Sequence, residues 1–133
     1  MNNYSPITER TKSFAVRIIK ACSFLSNQSD VSKTLPWQLL RSGTSIGANV
    51  HEGESLRGNP SSANLSSQSA QSDKDFINKL EIALKEARET EYWLEILLKS
   101  ELVTESKFKP LLDECQQIVR ILIASTGKLK QKS

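Results

Sequence analysis

The spacing of apolar residues constrains the fold of this chain more than any other feature of its sequence. In four segments the apolar side chains recur every three or four residues, which is the period of an α-helix with one buried face. No segment shows the alternation of apolar and polar residues that a half-buried strand needs. We therefore predict an all-α chain with helices over about 7–26, 35–55, 73–100 and 104–130.

The chain of 133 residues has the size of a single domain, 1–133. Residues 57–72, "RGNPSSANLSSQSAQS", are rich in serine and carry one charge, which predicts a flexible linker between the second and third helices. The other two connections are short. Short connections favour antiparallel neighbours, so we expect an up-down-up-down four-helix bundle.

Composition excludes several classes of protein. No apolar run approaches the roughly 18 residues of a membrane span, and the first residues lack the apolar core of a signal peptide. Cys22 and Cys115 lie far apart without metal-ligand spacing, which is typical of reduced thiols in a core. We expect a cytoplasmic protein without a membrane partner.

The second helix carries glycine where a helical protein normally carries leucine. Its run "RSGTSIGANVHEGE" spans 41–54 and places Gly43 and Gly53 on the same face as Ile46 and Val50. A phosphate-binding loop would need a preceding strand and a Gly-Lys-Ser/Thr ending, and both are missing. The pattern therefore predicts a helix whose small residues, Gly43, Gly47 and Ala48, allow close approach of a neighbour.

A polar stripe borders this glycine face, and Glu91 of the third helix lies at core spacing. A carboxylate in a core must be paired, hydrogen-bonded or protonated. We predict a structural polar network in which Arg41 pairs with Glu91 or Glu52 and fixes helix register. Its members are Arg41, Ser45, Asn49, Glu52 and Glu91. The alternative is a pair of catalytic carboxylates.

The sequence lacks the residue patterns that metal-dependent and nucleophilic enzymes need. Carboxylate-bridged metal bundles need Glu-x-x-His on two helices, whereas the chain has a single histidine, His51. One histidine and two isolated cysteines do not form a zinc site, and no nucleophile elbow is present. We expect no catalytic residue, no metal and no cofactor.

The third helix carries apolar residues on the side opposite its core stripe. A helix with two apolar faces has to bury both, so this side predicts contact with another copy of the chain. The predicted interface residues are Ile82, Trp93, Ile96 and Leu97. Alternatively, Trp93 folds over its own neighbours at the edge of the bundle.

The chain carries 18 basic and 15 acidic side chains, a net charge of +3 that a homo-oligomer would multiply. Such a surface suits the phosphate backbone of RNA or DNA, and no aromatic platform for base stacking accompanies it. The candidate contacts are Arg10, Arg17, Lys20, Arg57, Lys128, Lys130 and Lys132. The alternative for each is an ordinary solvated helix face.

Two runs resemble the proteins encoded in intervening sequences of bacterial 23S ribosomal RNA genes. The first has the pattern Arg-Ser/Ala-x-x-Ser-Ile-x-x-Asn-Ile/Val-x-Glu-Gly, matched by Arg41, Ser42, Ser45, Ile46, Asn49, Val50, Glu52 and Gly53. The second, in the third helix, is matched by Phe76, Leu80, Ile82, Ala83, Lys85, Glu86, Ala87, Glu89, Thr90, Tyr92 and Trp93.

This resemblance implies a homopentameric ring of four-helix bundles. The accessory variability protein of diversity-generating retroelements is a relative that pairs with a reverse transcriptase and binds nucleic acid through a basic surface. The expected function is therefore non-enzymatic nucleic-acid binding by an oligomer, with a reverse transcriptase or another protein as a candidate partner. The alternative is a protein–protein scaffold ring without direct nucleic-acid contact.

Overall fold

A computed structural model describes residues 6–57 and 66–131 of the chain. These residues form four α-helices and contain no β-strand, so the all-α prediction is confirmed for them. The helices are α1 (Pro6–Ser26), α2 (Thr34–Arg57), α3 (Ser66–Lys99) and α4 (Glu105–Gln131). Apart from the start of α3, each observed end lies within two residues of the predicted one.

The start of α3 corrects part of the predicted linker 57–72. α3 begins at Ser66, seven residues before the predicted start, and Arg57 is the last residue of α2. Residues 66–72 contain neither Gly nor Pro, and a helix extends cheaply once it is nucleated. Serine content alone therefore predicted a loop where the chain is helical. Residues 58–65 lie outside the described part of the chain.

Side chains from all four helices form one hydrophobic core. α2 packs against α1 and α3, whereas α4 packs mainly against α3 and less against α1. The fully buried members include Phe14, Ile18, Leu25, Leu39, Ile46, Leu94, Phe108, Ile118 and Leu122.

Glycine brings α2 close to α1. A Cβ atom added at Gly43 would stand 2.8 Å from Cγ2 of the buried Ile18. One added at Gly47 would stand 3.1 Å from the carbonyl oxygen of Thr11, which belongs to the α1 backbone. The predicted close approach is therefore confirmed at these two glycines. Ala48, by contrast, is exposed and takes no part in it.

The buried stripe of α3 differs from the prediction between Ala87 and Leu94. Thr90 is fully buried there, and Glu91 is only half-buried. Both positions satisfy helical spacing, so periodicity does not distinguish them. Threonine takes the buried position because its hydroxyl donates a hydrogen bond to the carbonyl oxygen of Glu86 at 2.8 Å. A charged carboxylate would be costly to bury there.

A residue with left-handed backbone follows the end of α3. Glu101 has φ 61°, which is uncommon outside glycine. The N–H of Ser100 donates to the carbonyl of Ile96 at 2.9 Å, and that of Glu101 to the carbonyl of Leu98 at 3.2 Å. These bonds satisfy carbonyls that the helix end would otherwise leave open.

Candidate functional site

The guanidinium of Arg41 joins α2 to two carboxylates of α3. Its Nη1 lies 3.3 Å from Oε2 of Glu86, and its Nη2 donates to Oε1 of Glu89. The indole N–H of Trp93 lies 3.5 Å from the same Glu89 oxygen. The hydrogen bond from Arg41 lowers the pKa of Glu89, so this carboxylate keeps its charge to lower pH than an ordinary glutamate does.

These partners correct the predicted pairing of Arg41 with Glu91 or Glu52. Glu52 pairs with Lys79 of α3, with Oε2 and Nζ 3.3 Å apart. Glu91 lies on the side of α3 that faces α4, where its charge helps to raise the pKa of Cys115. The predicted network is therefore divided into separate contacts.

Two further polar contacts lie near these ion pairs, one within α2 and one between α2 and α3. The amide of Asn49 donates to the carbonyl of Ser45 at 2.8 Å and to its hydroxyl at 3.0 Å, within α2. The hydroxyl oxygens of Ser42 and Thr90 lie 2.9 Å apart, and both residues are fully buried. Sequence reasoning missed this second contact, although both residues belong to the runs that carry the resemblance.

Arg10, a predicted nucleic-acid contact, is bound to α4. Its Nε lies 2.8 Å from Oε2 of Glu114, and its Nη2 lies 2.8 Å from Oε1, which is bidentate geometry. Nη2 also donates to Oε1 of Gln117. These hydrogen bonds lower the pKa of Glu114 and raise that of Arg10. Arg10 thus joins α1 to α4, where helix packing is sparse.

Two further basic candidates contact acidic side chains at the surface. Nε of Arg57 lies 3.7 Å from Oδ1 of Asp73, and its guanidinium stands 4.7 Å from the centroid of the Phe76 ring. Nζ of Lys130 lies 2.6 Å from Oε1 of Glu81. All four charged side chains are open to solvent, so these pairs contribute little to stability and are easily exchanged.

Arg17, Lys20 and Lys128 are exposed. Among the described residues, no carboxylate lies within ion-pair distance of these three cations. Arg17 is close enough to Glu114 to help lower the pKa of that carboxyl. Lys132 lies outside the described residues.

α1 carries the largest net positive charge of the four helices. This helix carries four basic side chains and one acidic one, an excess of three that equals the net charge of the whole chain. These residues are Arg10, Lys12, Arg17, Lys20 and Glu9. The other three helices sum to zero, because α2 is neutral, α3 carries a net charge of −2 and α4 one of +2.

The predicted oligomer residues of α3 divide between surface and core. Ile82 is 42% exposed, while Ile96 and Trp93 are half-buried and Trp93 packs against the core. Leu97 is fully buried, so its predicted outward position was wrong. It shares the inner face with Leu94, three residues earlier, as helical geometry requires.

A second exposed apolar surface lies where α1 meets the start of α2. Trp37 is 59% exposed, Ile19 51% and Val16 47%. Ile19 and Trp37 border a groove of about 350 Å³, with Lys33 at its edge. Sequence reasoning missed this surface because it followed only the inner stripe of each of these helices.

Both cysteines are buried and form no disulfide, and neither belongs to a cluster of metal-binding side chains within the described part of the chain. Burial raises the pKa of Cys22 to about 11 and that of Cys115 to about 12. In the described residues, no three His, Cys, Asp or Glu side chains are grouped to hold a metal ion. No helix within 6–57 or 66–131 combines the length and apolar character that a membrane crossing requires.

Comparison with known proteins gives one matching family and one similar solved structure. The sequence profile of the 23S rRNA-intervening sequence protein family matches residues 62–124. No curated protein matches the chain. The crystal structure of a protein of unknown function from the S23 ribosomal protein family of Bacteroides thetaiotaomicron is 39% identical, with a TM-score of 0.71. The match covers 90% of this chain and 97% of that one. With such identity over nearly the whole length of both, the protein belongs to the family of 23S rRNA-intervening sequence proteins.

Proposed function

We propose that this protein is a non-enzymatic oligomer that binds the phosphate backbone of nucleic acid through a basic surface centred on α1. The observation that carries the proposal is the excess of three positive charges on this one helix. Arg17 and Lys20 stand three residues apart on its exposed side, so both can reach one stretch of backbone.

Assembly multiplies this charge. We propose the up-down-up-down bundle and the homopentameric ring that the sequence resemblance implies. The exposed apolar side chains, Ile82 on α3 and Trp37 and Ile19 at the groove, supply surface that a neighbouring subunit would cover. A ring repeats the α1 charges in every subunit, and phosphate contacts then add.

The test is binding of labelled single-stranded RNA at about 50 mM and about 200 mM salt, with light scattering on the same sample. The expected result is a particle of five 14.9-kDa subunits that binds RNA at low salt and releases it at high salt. Absence of binding at low salt would overturn the proposal.

A matched pair of variants locates the surface. Arg17→Ala/Lys20→Ala should weaken binding and flatten the salt dependence. Lys99→Ala/Lys109→Ala removes the same charge from exposed positions outside α1 and should have a smaller effect. Equal effects would show that only total charge matters.

The second candidate function is a protein–protein scaffold, with a reverse transcriptase as one candidate partner. The exposed Trp37 beside an apolar groove favours it, because aromatic anchors in pockets dominate protein interfaces. A particle that does not bind RNA at low salt, and whose mass is unchanged by Trp37→Ala so that this side chain is left for a partner, would support the scaffold over the nucleic-acid function.

A further inference from the structure

We infer that the cleft between α3 and α4 binds a backbone phosphate of the nucleic acid, an inference that rests on the proposed function. This cleft has a volume of about 370 Å³ and is lined by Glu81, Leu84, Lys85, Arg88, Thr126 and Lys130. Only Lys130 among them was predicted from sequence to contact nucleic acid. A cleft of this size is in the range that holds small ligands.

The charges of the cleft favour an anion. The residues that line the cleft include three cations, Lys85, Arg88 and Lys130, and one carboxylate, Glu81, an excess of two positive charges. Lys85 and Arg88 are exposed and make no ion pair or hydrogen bond with any described residue. A phosphate can therefore bind them without breaking an existing contact, and the planar guanidinium suits bidentate phosphate binding.

Glu81 competes with the ligand for Lys130. Nζ of Lys130 lies 2.6 Å from its carboxylate, yet both side chains are largely open to solvent. A phosphate entering the cleft would replace this contact with a stronger one, because it also bonds to Lys85 and Arg88. The carboxylate thus weakens binding, and its removal should strengthen it.

Gly127 leaves the backbone of α4 open to solvent beside the cleft. A Cβ atom added there would meet nothing within 4 Å, unlike one added at Gly43 or Gly47. Packing within the subunit therefore does not require glycine, although glycine weakens the interior of a helix. Gly127 follows Thr126 of the cleft and stands three residues before Lys130, so it leaves helix backbone open to a ligand beside the cations.

The decisive experiment compares two variants that add the same charge. Glu81→Gln and Glu105→Gln each remove one carboxylate, but Glu105 stands at the start of α4, roughly 37 Å along the helix from Lys130. Glu81→Gln should bind single-stranded RNA severalfold more tightly than Glu105→Gln does. Equal affinities of the two variants would overturn the inference that the cleft binds phosphate.

The cations are tested in the opposite direction. Lys85→Ala and Arg88→Ala should each weaken binding severalfold and lower the slope of log affinity against log salt by about 0.7 per lost contact. Lys109→Ala removes the same charge near the other end of α4 and should change both quantities less. Equal losses of RNA affinity in all three variants would overturn phosphate binding in the cleft, while the proposed function would stand.

Gly127→Ala separates stability from binding. The melting temperature should rise, because alanine favours helix, while RNA affinity should fall, because the methyl group obstructs the ligand. A higher melting temperature with unchanged affinity would overturn the approach of phosphate to the helix backbone. If the wild-type protein binds no RNA at low salt, the proposed function itself fails, and the cleft fails with it.

Discussion

The two sides of α2 are built by different means. On the α1 side, Gly43 and Gly47 remove side chains so that the helices approach until a Cβ atom would collide. On the α3 side, polar groups meet in pairs, and the hydroxyls of Ser42 and Thr90 lie 2.9 Å apart inside the core. Glycine sets how close two helices come, whereas paired polar groups set which residues lie opposite each other. Gly53 adds a close approach on the α3 side as well, since a Cβ atom there would stand 3.0 Å from Cβ of Lys79. What distinguishes the α3 side is therefore the buried polar pair that fixes register.

The largest expected effect comes from filling the glycine side. Gly43→Leu should lower the free energy of unfolding by roughly 1–3 kcal/mol, because Ile18 is fully buried and has no room to yield. Chemical denaturation of the variant measures this loss. Gly127→Ala is the control, since its added methyl group meets nothing. An unchanged stability of Gly43→Leu would contradict the close approach of α1.

A smaller effect is expected from the buried hydroxyl pair between α2 and α3. Thr90→Val leaves the buried hydroxyl of Ser42 with only a long hydrogen bond, 3.4 Å to the carbonyl of Leu39, and should cost about 1 kcal/mol. Adding Ser42→Ala removes the second polar group, and the double variant should recover part of the loss. Denaturation of both variants checks this, and a double variant that is less stable than Thr90→Val would show that the pair does not act as a unit.

The smallest effect is expected at the half-buried ion pairs of Arg41 and Arg10. The pKa of Glu89 lies below its ordinary value of 4.5 because it accepts from Arg41, and that of Glu114 is lowered by Arg10. A lowered folded-state pKa stabilises the fold above pH about 4.5, and the stabilisation is lost as pH falls through that folded-state pKa. Arg41→Gln and Arg10→Gln should each cost at most about 1 kcal/mol at neutral pH.

The acid dependence identifies the source of that cost. The difference in unfolding free energy between wild type and either variant should shrink on acidification below pH about 4.5, as the carboxylates lose their charge. Arg120→Gln, at an exposed position, serves as the control and should show no such convergence. A difference that stays constant down to low pH would mean that the arginine acts through packing alone.

Sequence periodicity predicted the helices well because each buries one face, and burial leaves a pattern every three or four residues. It was wrong where two positions satisfy the same spacing, as at Thr90 and Glu91, since only neighbouring helices decide between them. It also gave Arg41 the wrong partner. Pairing across helices depends on their relative rotation, which single-helix patterns do not contain. The basic candidates were found by charge, but charge alone could not tell Arg10, bound to Glu114, from the exposed Lys20.

The uneven distribution of charge along the chain has a consequence for how the molecule moves near a polyanion. Because α1 carries a net charge of +3 and α3 one of −2, each subunit carries a permanent electric dipole moment. An external field exerts a torque on such a particle, so a subunit is turned with α1 foremost before any contact forms. Orientation before collision accelerates association, and dissolved salt at 0.1 M screens the orienting field at separations beyond about 10 Å. Ionic strength would then change the rate of association before it changes the contacts within the complex.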